Sequence, residues 1–211
     1  MEGIYLEKNN SIAHFINGYK DNTLVEISSA APIAKSAFAH SDVEKILFKG
    51  CPKSIGEIAF EECESLTTVI FGELGKDKAI TVKKTDEKND KKPTGDGTPE
   101  NDEAIEQSVL KNVKLASATG DFTIQANAFK DCAKLATLVL PKLDDKHKLV
   151  IEKDAFCGCR ALRTVVALCD KISFTGNPFA DSPEHLTFVC KEDSEVARFA
   201  RENSYRSAYV G

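Results

Sequence analysis

One frame recurs along this chain and leaves little choice of architecture. Residues 55–71 read IGEIAFEECESLTTVIF, 124–140 read IQANAFKDCAKLATLVL and 151–167 read IEKDAFCGCRALRTVVA. The three agree at a leading Ile, at Ala-Phe, at Cys, at Leu and at two apolar positions that follow on alternate residues. Looser copies stand at 33–48 (IAKSAFAHSDVEKILF), 104–115 (AIEQSVLKNVKL) and 174–190 (FTGNPFADSPEHLTFVC). In these, Ser41, Ser108 and Ser182 take the Cys position, and Ile105 replaces Phe in the second. The aligned anchors Phe38, Phe60, Ile105, Phe129, Phe156 and Phe179 lie 22, 45, 24, 27 and 23 residues apart. Units this short cannot bury an apolar face alone, so neighbouring copies must stack.

The spacing within the frame assigns each residue a direction. In L-x-x-φ-x-φ the last two apolar residues fall on one side of a strand, with the Leu at the turn into it. They point inward and form ladders with their equivalents in the next copy, while the Phe fills the interior and the small Ala before it lets backbones approach. This predicts an α/β repeat solenoid: a curved stack of about six repeats with a parallel sheet of short strands along one face. The residue between the two inward positions points out of that face. It is Leu47, Ile70, Lys114, Val139 and Val166 in successive copies. Four of the five are branched and apolar, although a polar residue would be free to stand there. An exposed apolar stripe marks a protein-interaction surface; the plainer reading is strand propensity, which favours β-branched residues in any case. These five residues are the candidate partner-binding site.

The long interval has a compositional cause. From 75 to 101 the chain is dense in Lys, Asp, Glu, Gly and Pro, which cannot bury enough apolar surface to offset the entropy of ordering. Residues 83–100 read as a flexible charged insertion looped out of one repeat; two three-repeat domains joined by a linker are the alternative. A solenoid also needs its ends covered. Residues 10–20 (NSIAHFINGYK) place Ile12, Phe15, Ile16 and Tyr19 on one helical face, with Ser11 as N-cap. Residues 194–203 (SEVARFAREN) do the same with Val196, Ala197, Phe199 and Ala200. The chain thus reads as a single domain over 1–211, with an N-terminal cap (1–32), repeats (33–190), a C-terminal cap (191–211) and both ends covered.

Composition narrows the function. With 28 Lys and Arg against 33 Asp and Glu the net charge is −5, and no basic face is present to displace counterions from nucleic acid. No apolar run approaches the ~20 residues of a membrane span, and MEGIYLEKNN lacks the order of a signal peptide. Seven Cys are an odd number. Cys63, Cys132 and Cys159 share their position with Ser41, Ser108 and Ser182, which argues for a small buried side chain; a Cys132–Cys159 bridge between stacked copies is the alternative. Cys157-Gly158-Cys159 has no second Cys/His pair at zinc spacing. His14, His40, His147 and His185 are spread along the stack, and no phosphate, dinucleotide or metalloprotease motif is present. The chain is therefore read as non-enzymatic, with no catalytic residue, metal or other cofactor.

The pattern I-x-x-x-A-F-x-x-C-x-x-L-x-x-φ-x-φ at a period near 23 resembles the BspA-like, or Treponema pallidum type, leucine-rich repeats. The ending LTFVCKEDSEVARFARENSYR is similar to the strand-then-helix close of that family. The resemblance covers 33 to about 209, less the insertion. It implies a leucine-rich-repeat domain in a surface or secreted adhesion protein that binds a protein or glycoprotein. The charged insertion and Ile105 depart from the pattern. Two further readings stand beside it: a self-associating spacer of a larger envelope protein, and, because of the thiols, a cytoplasmic scaffold.

Overall fold

The computed structural model describes residues 5–8, 10–15, 24–74, 82–83 and 113–210. In chain order the strands are β1 (Tyr5–Lys8), β2 (Ser11–Phe15), β3 (Leu24–Ile27), β4 (Lys45–Phe48), β5 (Ser54–Ile55), β6 (Thr68–Leu74), β7 (Val82–Lys83), β8 (Val113–Leu115) and β9 (Ser117–Ala118). There follow β10 (Phe122–Ile124), β11 (Thr137–Val139), β12 (Lys142–Leu143), β13 (Leu149–Ile151), β14 (Thr164–Val166), β15 (Ile172–Phe174), β16 (Thr187–Cys190), the helix α1 (Glu195–Glu202) and β17 (Arg206–Val210).

Each repeat makes one rung. Its leading Ile enters a short parallel sheet, ordered β5, β10, β13, β15 and extended by bridges from Ile55 to Ile33 and from Ile33 to Ile12. The chain then turns through Ala-Phe and Cys and joins the main sheet, ordered β3, β4, β6, β11, β14, β16, β17, β7, which is parallel at every step but the last. The core lies between the sheets. The rings of Phe15, Phe38, Phe60, Phe129, Phe156 and Phe179 stack through it at centroid separations of 5.0, 4.7, 4.7, 5.0 and 5.2 Å. That is close to the spacing of paired strands, so each rung contributes one ring and each ring covers the last.

The turns are laddered as well. The Phe38, Phe60 and Phe129 amides each donate, at 2.7 Å, to the carbonyl of the Ala one rung on. The residues two before and two after each Phe adopt left-handed backbone: Ser36 and His40, Ile58 and Glu62, Asn127 and Asp131, Asp154 and Gly158. Two such kinks fold the turn tightly enough to bring Phe and Cys to the same side. Asn, Asp and Gly tolerate this conformation best, and they hold it at Asn127, Asp131, Asp154 and Gly158.

Three expectations are corrected. Among the described residues there are six rungs, but a different six. Phe60 stacks directly on Phe129 and β6 pairs directly with β11, so 104–115 does not form a rung between them. Its described part, β8, runs antiparallel to β6, and Ile105 lies outside the described residues. The sixth rung is at the N-terminus. Residues 11–15, expected to be helical, form β2, paired antiparallel with β1; Ile12 and Phe15 serve there as leading Ile and anchor Phe, and 16–20 lie outside the described residues. A strand wins over a helix because Ile12 gains a ladder partner in Ile33, and Phe15 a ring to stack on. The expected pair of helical caps is therefore reduced, among the described residues, to one helix. Apart from Lys83, the insertion placed at 83–100 also lies outside them.

That helix matches its sequence signal. The Ser194 hydroxyl accepts from the Ala197 amide, and Val196, Ala197, Phe199 and Ala200 are buried. Phe199 packs at 4.0 Å on Phe174, closing the end of the stack. After α1 the chain returns to the main sheet as β17, which the sequence frame did not foresee.

Candidate functional site

Registers across the main sheet place the outward residues in one row. Leu47 pairs with Ile70, Ile70 with Val139, Val139 with Val166, Val166 with Val189 and Val189 with Ala208. A second row, Lys45, Thr68, Thr137, Thr164, Thr187 and Arg206, runs beside it. The structure thus brings Leu47, Ile70, Val139 and Val166 together as the frame predicted. It adds Val189 and Ala208. The first could have been found by applying the frame to 186–190; the second sits on the unforeseen β17.

Lys114 is not in the row. It stands on β8, opposite Glu73 across the antiparallel β6 pair, and its ammonium reaches that carboxylate at 3.7 Å. Gly72 permits the approach, because a Cβ there would lie 2.4 Å from the Lys114 carbonyl oxygen.

The row is also not exposed. Leu47 and Ile70 keep 3 % and 5 % of their surface, and Val139 and Val166 keep none. Together with Val113, Val189 and Ala208 they make a second hydrophobic cluster, separate from the core between the sheets, against which Leu115, Leu168 and Val210 pack. The reason is the hydrophobic effect: at about 25 cal/mol per Å² of apolar surface removed from water, so long a row of branched side chains is strongly favoured under cover. The expectation of a solvent-facing stripe is corrected to that of a second, outer core.

The thiols sit as small buried groups. Cys63, Cys132 and Cys159 each donate to the Phe carbonyl of the preceding rung, Phe38, Phe60 and Phe129, at 3.0, 2.9 and 3.2 Å. Ser41 and Ser182 occupy the same place, and the Ser41 hydroxyl lies 3.3 Å from the Cys63 sulfur. All seven Cys are free thiols, so the alternative Cys132–Cys159 bridge is not formed. Burial pushes the Cys51 thiol up to about 12 and that of Cys169 up to about 11; it also raises Cys132, Cys159 and Cys190. Cys157 is raised by burial and then by the Asp181 carboxylate. None of these six is poised as a thiolate nucleophile.

The histidines serve separate local contacts. His40 lies 3.3 Å from Glu62 on the next rung, and His147 lies 2.6 Å from Asp144 in a loop. The Lys146 amide, then His147, hold Asp144 below the usual carboxylate range. His14 is in β2 and His185 precedes β16. Among the described residues no group of three or more His, Cys, Asp or Glu is placed to hold a metal ion.

Stacked rungs, one ring and one leading apolar residue apiece, define the chain as a repeat solenoid built on a parallel sheet. The family model for the BspA type leucine-rich repeat region matches six copies, over residues 23–78 and 98–189. The chain belongs to that family, whose repeats are in general protein-interaction scaffolds. No curated protein matches it.

Proposed function

We propose that this chain is a non-enzymatic protein-binding module of a cell-surface or secreted adhesion protein, and that its ligand, a protein or glycoprotein, is bound through the main sheet face. The observation that carries the reading is the unbroken row Leu47, Ile70, Val139, Val166 and Val189, held at fixed spacing by six rungs. That row is itself buried, and its regular spacing sets the exposed residues that border it; contact several strands wide suits a protein better than a small molecule. Lys45 and Arg206 at the ends of the buried Thr row, and Lys114 with Glu73 at the β6 border, are exposed and supply a polar rim. Family membership supports the interaction role and is compatible with a surface location. Among the described residues no helix is long and apolar enough to cross a membrane.

The test is binding of the full chain to immobilised matrix and plasma glycoproteins, fibronectin and fibrinogen among them. A saturable signal is expected. It should fall at least tenfold in the folded triple variant Ile70→Thr, Val139→Thr, Val166→Thr, which extends the neighbouring Thr row without burying a charge. A flat response across the panel would refute adhesion to these ligands, and an unchanged signal in the triple variant would refute the sheet face.

One observation favours a second reading, a self-associating spacer. Strand β3 is the outer strand of the main sheet and carries Leu24, 40 % exposed. Among the described residues its outer edge is unpaired, and such an edge is a template for pairing with another chain. Light scattering over a concentration series would show association, and a monomer at every concentration would exclude it. The free thiols suit a reducing compartment, which is the one feature supporting a cytoplasmic scaffold.

A further inference from the structure

The edge of the stack where each rung turns from the leading-Ile sheet into the main sheet carries its charges in blocks. The ladder fixes the rows on this edge: the Thr67 amide donates to the Glu44 carbonyl, Ala136 to Thr67 and Arg163 to Ala136. That row therefore reads acid, neutral, neutral, base. The row after the Ser/Cys position is Asp42, Glu64, Ala133 and Arg160, in the same order. Glu62 on the Phe60 rung and Lys134 on the Phe129 rung keep the sign of their neighbours. Of these ten residues all but Thr67 and Ala136 are exposed.

The rungs of Phe38 and Phe60 thus present an acidic block, and those of Phe129 and Phe156 a basic one. The blocks meet within the chain where Lys130 lies 4.0 Å from Glu61. Asp131 is half-buried against Gly158, and Asp181 and Glu184 on the Phe179 rung end the basic block. Consecutive rungs are about 4.8 Å apart, so each block sets like charges side by side, which disfavours the isolated chain. The two blocks are equally long, and their boundary lies midway, between Phe60 and Phe129. A twofold axis through that boundary, normal to the edge, brings the acidic block of one copy over the basic block of another. Glu64 then faces Lys134 of the second copy, and Asp42 faces its Arg160. The small Ala133, Ala136 and Thr67 between the charges let the two faces approach. We infer that a second copy of this chain docks on the turn edge, acidic rungs against basic rungs, as an isologous dimer. Four rungs span only about 14 Å, so the contact is smaller than the roughly 800 Å² per partner of a standard interface, and the dimer is weak and sensitive to salt.

The inference deepens the self-association reading, on which it rests for the identity of the partner, and moves the contact from the β3 edge to the turn edge. It is tested by reciprocal charge reversal in the full chain. One variant carries Glu44→Lys and Glu64→Lys, the other Lys134→Glu and Arg160→Glu; all four side chains are exposed, so both variants are expected to fold. Should either lose its strand circular dichroism, the single reversals Glu64→Lys and Lys134→Glu take its place. Sedimentation over a concentration series is run at about 0.01 M salt, where the Debye length is about 30 Å, and at about 1 M, where it is about 3 Å. Wild type is expected to dimerise at low salt and to weaken about tenfold at high salt. Each variant alone should also associate about tenfold more weakly at low salt, and the two mixed should associate at least as tightly as wild type. Association that neither salt nor charge reversal weakens would leave the self-association reading standing and overturn the turn-edge contact. A mixture no tighter than either variant alone would equally overturn it, and a wild type monomeric throughout would remove both.

Discussion

Ile58 is the residue where the frame and its backbone disagree most. It sits at φ 48° two positions before Phe60, where the other rungs place Ser36, Asn127 and Asp154. A β-branched side chain in left-handed backbone is strained, so Ile58→Asn is expected to raise stability by about 1 kcal/mol, read as a higher urea midpoint; a lower midpoint would show that its half-buried side chain matters more. The Cys position offers a paired case. The Cys132 thiol is buried and donates to Phe60, whereas the Ser182 hydroxyl is buried with no hydrogen-bond partner. Cys132→Ala should therefore cost about 1–2 kcal/mol, and Ser182→Ala should be neutral or stabilising. Equal losses at both sites would contradict the assignment of the thiol as a donor. At this scale the sequence was partly legible: Cys interchanging with Ser marks a small buried site, whereas the left-handed turns on either side of Phe were not read from it. The hydrogen bond between rungs was not legible, since its acceptor belongs to a different copy.

Elements were harder to read wherever a partner far along the chain decided the outcome. Residues 11–15 carry apolar side chains at a spacing that suits a helix, and they became β2 because Ile33 and Phe38 supply a ladder and a ring to match. Residues 113–115 match the strand of the frame, yet β8 turns antiparallel and joins β6 beyond the main ladder. Gly72 is the local cause, and the contact is tight enough that Gly72→Ala must shift β8. We expect a loss of about 1–3 kcal/mol together with increased apolar-dye binding, because Val113 and Leu115 help bury the outer row; a variant with wild-type stability and dye response would show that β8 is dispensable to it. The helix α1 was legible because its signals are local: Ser194 as cap and an apolar face of Val196, Ala197, Phe199 and Ala200. Ser194→Ala should cost about 1 kcal/mol.

Across the whole molecule the repeat determines both the fold and where function can lie. Six rungs align the outward residues into one row, and the same regularity buries thiols along the stack. Those thiols make stability depend on pH in a definite sense. The native pKa values of Cys51 and Cys169, about 12 and about 11, lie above the ordinary thiol value of 9.0, and Cys132, Cys159 and Cys190 are raised too. Below pH 9 both states hold the proton and this contribution to stability is intact. Above it the unfolded chain ionises first, so stability is lost as pH rises from about 9 through 11 to 12. A denaturant midpoint that stays level between pH 8 and pH 10.5 would contradict the buried, neutral thiols. Which rungs are neighbours was the part of the fold least legible in the sequence, since the anchors Phe60 and Phe129, 69 residues apart in sequence, proved to be adjacent. The continuity of the candidate site depends on that junction, and a disulfide tests it most directly. In Thr68→Cys, Thr137→Cys the two residues are register partners on β6 and β11, about 4.8 Å apart between Cα atoms and within reach of a bond. The account predicts rapid intramolecular oxidation to a folded, monomeric, cross-linked chain. If a further rung stood between them, the separation would be about 9.6 Å, beyond disulfide reach, and a folded variant that stays reduced would contradict the continuous row.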